Sequence, residues 1–453
     1  MTKHYDVAIL GSGNAGLAAA GIAKVAGKSV AVIESRDVGG TCAIRGCVPK
    51  KVLVAAAQSL DQIARASEHH IDVGAPKLDW GKLIAREQGF VDGVPDEFAG
   101  SLEGRGIDIL RGRARFTGVD TIEVDGNTLT AEKFVIATGS TPRPLDIPGA
   151  DLLSISDDLL EDPELPEEIV FIGGGVIALE FGHVFARAGS KVTILEALPR
   201  LLPRLDADAV AQLRAESERI GIEILTDIRV EAVEQRDNRL AVRFAHFGKV
   251  RTIEAGRVVN GAGRVPNVAD LDLDAGGIAH DELSIDLDEH LRSRTNPRVY
   301  AAGDAHAGAP QLSPVATYEG RIVGENLING HDPSHDRSPD YGDVPSAVYT
   351  VPALASVGLT EAEADKNGLA FEAKVNDMTS WRSARTYAET AAWAKVLVET
   401  DTGRILGAHL VGHGAEEVIH LFAFAIRHGI TATELKATTY GYPTFTSDIK
   451  FLV

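Results

Sequence analysis

The chain has 453 residues, of which 44% are hydrophobic and 24% charged, and its formal net charge is −20. Such a length predicts two to four domains and a large buried core. The acidic balance argues against nucleic acid or an anionic membrane as partner, and a total of two cysteines excludes a secreted disulfide framework.

The first predicted unit is YDVAILGSGNAGLAAAGIAKVAGKSVAVIE. It reads as a strand at Val7–Leu10, a helix, and a second strand at Val30–Ile33 that ends on Glu34. Gly11, Gly13 and Gly16 form G-x-G-x-x-G between strand and helix. Glycine permits the tight turn and a close approach of backbone to pyrophosphate. The helix start offers free N–H groups to phosphates, and the acid after the second strand suits ribose hydroxyls. Val7 to Gly27 is apolar enough to pass for a signal peptide or membrane span. It follows Asp6 directly, however, contains Ser12, Asn14 and Lys24, and is broken by its glycines. A dinucleotide-binding start explains it better. No other run approaches spanning length, so the expectation is a soluble, cytoplasmic protein.

Next comes GGTCAIRGCVPKK, which holds the only cysteines, Cys42 and Cys47. In a straight α-helix, residues five apart lie about 140° round the axis and about 8 Å apart. A disulfide needs Cα atoms within about 7 Å, so bridging requires a distorted turn, which Gly46 eases. From Pro49 onward the pattern is helical, which puts Cys47 at a helix N-terminus beside Lys50 and Lys51. Both features favour thiolate at Cys47. The residues alone leave three readings open: a redox pair, two inert buried thiols, or half a metal site. No His pair stands at matching spacing for zinc.

The strand–glycine–helix pattern returns in EEIVFIGGGVIALEFGHVFARAGSKVTILE. A strand at Ile169–Ile172 precedes Gly173, Gly175 and Ala178; a strand at Val192–Leu195 ends on Glu196. Two such sites suggest two dinucleotides. Glu196 favours a free 2′-hydroxyl over a 2′-phosphate, hence NADH over NADPH, although Arg200 and Arg204 lie downstream. Val299–Ala302 then reads as a short buried strand that delivers Gly303 and Asp304 to the end of a parallel sheet, where ligands sit. His331–Asp343, rich in Pro and Asp, reads as a linker. Trp381, Arg382, Arg385 and Tyr387 group aromatic and guanidinium character, either as a binding patch for an anionic or planar substrate or as a solvated loop between strands. Arg45 is open in the same way, to a carboxylate substrate or to a neighbouring acid.

Taken together, the two glycine motifs, C-x4-C after the first and Gly-Asp near residue 304 resemble the pyridine nucleotide-disulfide oxidoreductases. So do FVIATGSTPRPLDIPG, GAGRVPN, PALASVGLTEAEA and ILGAHLVGHGAEEVI. The resemblance runs nearly end to end and implies an α/β fold with two Rossmann-like domains and a C-terminal α+β dimerisation domain. The implied layout is an FAD-binding part at 1–145, completed by 265–335. An NAD(P)-binding part at 146–264 and a dimerisation part at 336–453 make up the rest. The family relay passes electrons from NADH to FAD and on to a Cys42–Cys47 disulfide. Cys47 would lie beside the flavin and Cys42 would attack substrate. Lys51 matches the lysine beside the flavin, Glu180 its glutamate partner, and Asp304 the aspartate that holds the ribityl chain. The resemblance further implies cofactor contacts at Gly40, Thr41, Ala114, Thr138, Gly139 and Gly263, and no metal ligands.

The C-terminal stretch TTYGYPTFTSDIKFLV departs from the family. Disulfide-reducing relatives carry His-Pro-Thr-x-x-Glu, whose histidine serves the partner subunit as acid–base group. Here Tyr442 stands at the histidine, Ser447 at the glutamate, and Asp448 one place later. Tyrosine, with an ordinary pKa near 10, is a poor base but can donate a hydrogen bond. Mercuric reductases use tyrosine in this neighbourhood, but normally with an added C-terminal cysteine pair that this ending lacks. His420 and His428 are the remaining candidates to reach this spot. The expectation is an NAD(P)H-driven flavoenzyme, acting as a homodimer on a small disulfide, with Tyr442 and Asp448 replacing the usual couple. Two alternatives stand beside it: a reductase of a metal ion, quinone or other electrophile, and a flavin-bound component of a larger complex with little turnover of its own.

Overall fold

The computed structural model describes residues 3–282, 284–329 and 335–453. The chain divides into two compact units. One comprises residues 1–50, 86–143 and 264–341; the other comprises 51–85, 144–263 and 342–453. Residues 331–334 of the expected linker lie outside the described residues.

The first unit is built on a seven-stranded sheet in the order Asp108–Arg111, Val30–Glu34, Lys3–Leu10, Asn127–Ile136, Thr121–Val124, Ala114–Gly118, with Val299–Ala301 also on Asn127–Ile136. The strands around Lys3–Leu10 pair in parallel, with Leu10 opposite Ile33 and Ile136. Val7, Ala8, Ile9 and Leu10 are all buried, as an unbroken apolar run in a parallel sheet must be. The Asn14–Val25 helix packs on the Ser313–Ile328 helix through small residues. A Cβ on Gly320 would meet the Ala15 carbonyl oxygen at 2.2 Å, and one on Gly324 would stand 2.9 Å from the Ile22 Cβ. Only glycine lets these two helices approach so closely.

The second unit contains a four-stranded parallel sheet, Glu223–Leu225, Lys191–Leu195, Glu168–Ile172, Arg257–Asn260, followed in sequence by a five-stranded antiparallel one. The latter runs Ser346–Val348, Ala353–Gly358, Ile405–Gly412, Trp393–Glu399, Phe371–Asp377, and its core residues pack with Val418, Ile419 and Phe422 of the Ala415–His428 helix. Among the described residues no helix is long and apolar enough to cross a membrane.

Two local expectations change. The helix after the cysteines begins at Cys47 rather than Pro49, so Pro49 sits in its first turn, where its missing N–H costs nothing. Residues 381–387 are no loop: Arg382–Thr386 is a short helix that starts after Trp381, and Trp381 packs edge-on against Phe451 at 5.9 Å.

Candidate active site

In the first unit the glycine motif forms as expected. Gly11 has φ +107°, and a Cβ there would lie 2.3 Å from the Ala137 carbonyl oxygen. The Glu34 carboxylate accepts the Ser12 amide at 3.0 Å, the Ser12 hydroxyl at 2.6 Å and the Arg36 amide at 2.8 Å. Gly40 crosses directly over the motif, since its Cβ would stand 2.4 Å from the Gly13 Cα. The helix after Gly13 has no side-chain cap, so its first amides face outward for an anion. Ala114 opens an edge strand, and Gly139 takes a left-handed turn at φ +70°. Among the described residues the buried Thr138 hydroxyl has no partner.

Asp304 sits in a short turn, Gly303–Ala305, where Ser140 donates to its carboxylate at 2.8 Å. Burial raises its pKa, and the Ser140 hydrogen bond opposes that shift. Open amides, an acid at the end of the second strand, an unpartnered hydroxyl and a largely buried carboxylate together fit FAD.

Cys42 lies in the Gly40–Ile44 helix, and Cys47 is the first residue of the next helix; both are free thiols. Gly46 closes the turn between them, with a would-be Cβ 2.9 Å from the Thr41 carbonyl oxygen. The two thiols are hydrogen-bonded to each other and titrate as a pair. The Cys42 pKa is drawn down to about 6, chiefly by the Cys47 thiol, with help from the Ser313 hydroxyl and the Cys47 backbone N–H. The Cys47 thiol is pushed up, first by that same bond and then by burial. The helix start does stabilise a thiolate, but its N–H points at the neighbouring sulfur, and two touching thiols share one charge. Ser313 escaped the sequence reading. It is held by the Asn14 amide at 2.6 Å, from a residue nearly 300 positions away, and only its place ahead of a helix-starting Pro314 marks it. Arg45 is settled as a brace, paired with Asp37 at 2.7 Å.

In the second unit, Gly173 repeats φ +107° and Glu196 repeats the role of Glu34. Glu196 accepts the Gly174 amide at 2.5 Å and the Leu198 amide at 2.7 Å. The helix after Gly175 is again uncapped, and Gly263 takes φ +99° with open space where a Cβ would point. These groups fit a nicotinamide dinucleotide. Arg200 does not point at a phosphate: its guanidinium donates to the Leu205 carbonyl at 3.0 Å and to the Pro203 carbonyl. Arg204 is exposed.

Lys51 and Glu180 both meet Tyr349. The Lys51 ammonium lies 3.9 Å from the centre of the Tyr349 ring and 3.9 Å from Glu416, while buried Glu180 accepts the Tyr349 amide at 2.7 Å. Tyr442 and Asp448 do not form a couple. Tyr442 is 64% exposed, and its hydroxyl takes a hydrogen bond from Arg382 at 3.0 Å. The Asp448 carboxyl is bound by the Ser383 hydroxyl, and burial raises its pKa. His420 and His428 are exposed on the Ala415–His428 helix. The binding patch expected at 381–387 is divided. Tyr387 stacks on His413 at 5.3 Å, and His413 is paired with Glu389 at 3.2 Å, a pair the sequence did not announce. Among the described residues no cluster of three or more His, Cys, Asp or Glu is placed to hold a metal ion.

Comparison with known proteins agrees with this geometry. Residues 5–320 match the pyridine nucleotide-disulphide oxidoreductase family, and residues 344–452 match that family's dimerisation domain. A mercuric reductase from Bacillus cereus is 32% identical over 99% of this chain and 71% of its own. A dihydrolipoyl dehydrogenase from Thermus scotoductus is 34% identical, over 99% of this chain and 96% of its own. Among solved structures, the Cu(II) complex of the HOCl-induced flavoprotein disulfide reductase RclA from Escherichia coli superposes with TM-score 0.87 at 29% identity, covering 100% of this chain and 99% of that one. The chain belongs to the pyridine nucleotide-disulphide oxidoreductase family. It is an FAD-dependent NAD(P)H disulfide oxidoreductase with a dimerisation domain.

Proposed function

We propose that this enzyme uses NADH to reduce a metal ion or another soft electrophile at Cys42. One arrangement carries the reading: the neighbours of Cys42 draw its thiol toward thiolate, whereas Tyr442 and Asp448 are bound to Arg382 and Ser383 instead of to each other. A thiolate can attack a soft metal or a quinone with no acid to protonate a leaving group; a disulfide leaving group needs one. Relatives named mercuric reductase and a neighbour solved with Cu(II) support the same direction. A small disulfide is the second reading. It is favoured by the dihydrolipoyl dehydrogenase relative and by Arg382, which could hold the Tyr442 hydroxyl ready to donate.

FAD, when bound, supplies the two-electron relay between nicotinamide and the dithiol. Residues 1–145 and 265–335 would hold FAD, 146–264 the nicotinamide nucleotide, and 336–453 would form a homodimer that brings Tyr442 to the partner's cysteines. In this reading Gly11, Gly13, Gly16, Glu34, Gly40, Thr41, Ala114, Thr138, Gly139 and Asp304 line the FAD site. Gly173, Gly175, Ala178, Glu196 and Gly263 line the other. Lys51 and Glu180 serve the flavin ring. NADH is preferred because Glu196 repels a 2′-phosphate and Arg200 is committed to backbone carbonyls.

The test is an anaerobic NADH titration followed by an acceptor panel. A live cysteine pair gives a long-wavelength absorption band before the flavin bleaches; direct bleaching would remove the pair from the relay. Cu(II), Hg(II) or a quinone should then outpace oxidised glutathione and lipoamide, and Tyr442→His should raise the disulfide rates by about 10²-fold. If that change instead abolishes a native disulfide activity, the second reading replaces the first. In the reduced protein, alkylation of Cys42 should rise through a midpoint near pH 6, because the protonated thiol below it is not the nucleophile.

A further inference from the structure

We infer that Glu319, His306 and Tyr341 form a buried clamp that positions the Asp304 turn for FAD. The inference rests on the reading of the first unit as the FAD-binding part. Glu319 lies in the Ser313–Ile328 helix and is fully buried. An ionised carboxylate in such a place needs several donors. It has three: the Gly303 amide at 2.6 Å, His306 Nε2 at 3.2 Å to both oxygens, and the Tyr341 hydroxyl.

The hydrogen bonds also define the imidazole. The Gly308 amide donates to His306 Nδ1 at 3.2 Å, so that nitrogen is bare and Nε2 carries the proton given to Glu319. The ring is therefore a neutral bridge between Glu319 and the chain after the turn. Two donors to one carboxylate, Gly303 and His306, come from either side of Asp304 and leave the turn no freedom to rotate. The Asp304 carboxylate is held separately by Ser140, whose hydroxyl takes a hydrogen bond from Arg264 at 2.9 Å.

Tyr341 adds a second tie. Residues 337–341 run back along the same helix. The Arg337 amide meets Asn326 at 2.8 Å, the Asp340 amide meets Tyr318 at 3.1 Å, and Tyr341 reaches Glu319. The strap that leads toward the dimerisation domain thus ends on the carboxylate that holds the flavin turn. None of these three side chains is assigned to substrate; they are positioning residues.

Flavin release from the purified holoenzyme, followed by the rise of free-flavin fluorescence, tests the clamp. Removing one partner of a buried charged hydrogen bond weakens it by about 10- to 100-fold. Glu319→Gln and His306→Leu should therefore speed release by about that factor and alter the visible band shape of bound flavin. His306→Gln restores a donor to Glu319 and should stay within about threefold of wild type. Tyr341→Phe, which removes one hydroxyl and keeps the ring, should fall between them and serves if Glu319→Gln fails to fold. Unchanged NADH quenching of tryptophan would show the second unit intact in each variant. Equal release from His306→Gln and His306→Leu, or wild-type release from Tyr341→Phe and His306→Leu, would overturn the clamp. Wild-type protein that neither carries nor takes up flavin would instead sink the FAD reading on which it stands.

Discussion

At the first motif, Glu34 reaches back to the Ser12 amide and forward to the Arg36 amide; at the second, Glu196 reaches back to Gly174 and forward to Leu198. The wiring is the same, and the packing is not. A Cβ on Gly16 would strike the Gly11 carbonyl oxygen at 2.1 Å, so the third position of the first motif admits only glycine. At the second motif a buried Ala178 stands at the third position, and even a Cβ on the facing Gly261 would lie at an ordinary 3.5 Å from that of Ala178. In turn, Gly174 is boxed in by Leu201 and Glu196, while the equivalent Ser12 has room for a hydroxyl that bonds Glu34. One ligand chemistry can therefore be met by moving the steric constraint from one glycine to another.

The largest test of this contrast exchanges the third positions. Gly16→Ala should cost the protein its flavin, weakening retention by about 10²-fold through the backbone clash, measured as flavin content after gel filtration. Ala178→Gly should keep full flavin and lose only about 1 kcal/mol of stability, as expected for a helical glycine. If Gly16→Ala retains its flavin, the packing difference has no consequence. Gly174→Ala comes next. Its Cβ would lie 2.3 Å from Leu201 Cδ2, so the KM for NADH should rise about tenfold with flavin undisturbed. A KM that does not move would show that Leu201 gives way.

The acids separate the two motifs by ligand. Glu196→Ala should raise the NADPH-to-NADH ratio of kcat/KM by about tenfold, and Glu34→Ala should leave that ratio alone while hastening flavin loss. A ratio that stays put in both variants would remove Glu196 as the selector. The smallest effect is expected from Ser12→Ala, which makes the first motif resemble the second. Loss of a hydroxyl that donates to Glu34 and accepts from the Gly39 amide should speed flavin release by no more than about fivefold.

Much of the site was written in short-range spacing. Gly11 and Gly173 announce themselves because the chain turns there at φ +107°, Gly16 because a Cβ would meet the Gly11 carbonyl, and Gly13 and Gly175 by their spacing from these turns. Glu34 and Glu196 follow because one is the last residue of its strand and the other comes directly after its strand. The C-x4-C pair, its helix and the buried strand into Asp304 were legible for the same reason: steric rules among neighbouring residues suffice. What the residues at 381–387 do was not legible, because Trp381, Arg382 and Tyr387 are sorted by partners more than 25 residues away: Phe451, Tyr442 and His413.

The sequence by itself determined where two strand–glycine–helix motifs and a thiol pair fall, since those demands are local. Only the tertiary structure decided which groups surround the Cys42 thiol, what Arg200 and Arg45 bind, and that Glu319 grips the turn of Asp304. Each depends on a hydrogen bond whose direction is set by packing between helices and turns. Electrostatics at a sulfur or a buried carboxylate is fixed by the nearest donors in space, and residues such as Ser313 or Tyr341 become near only when the chain has folded.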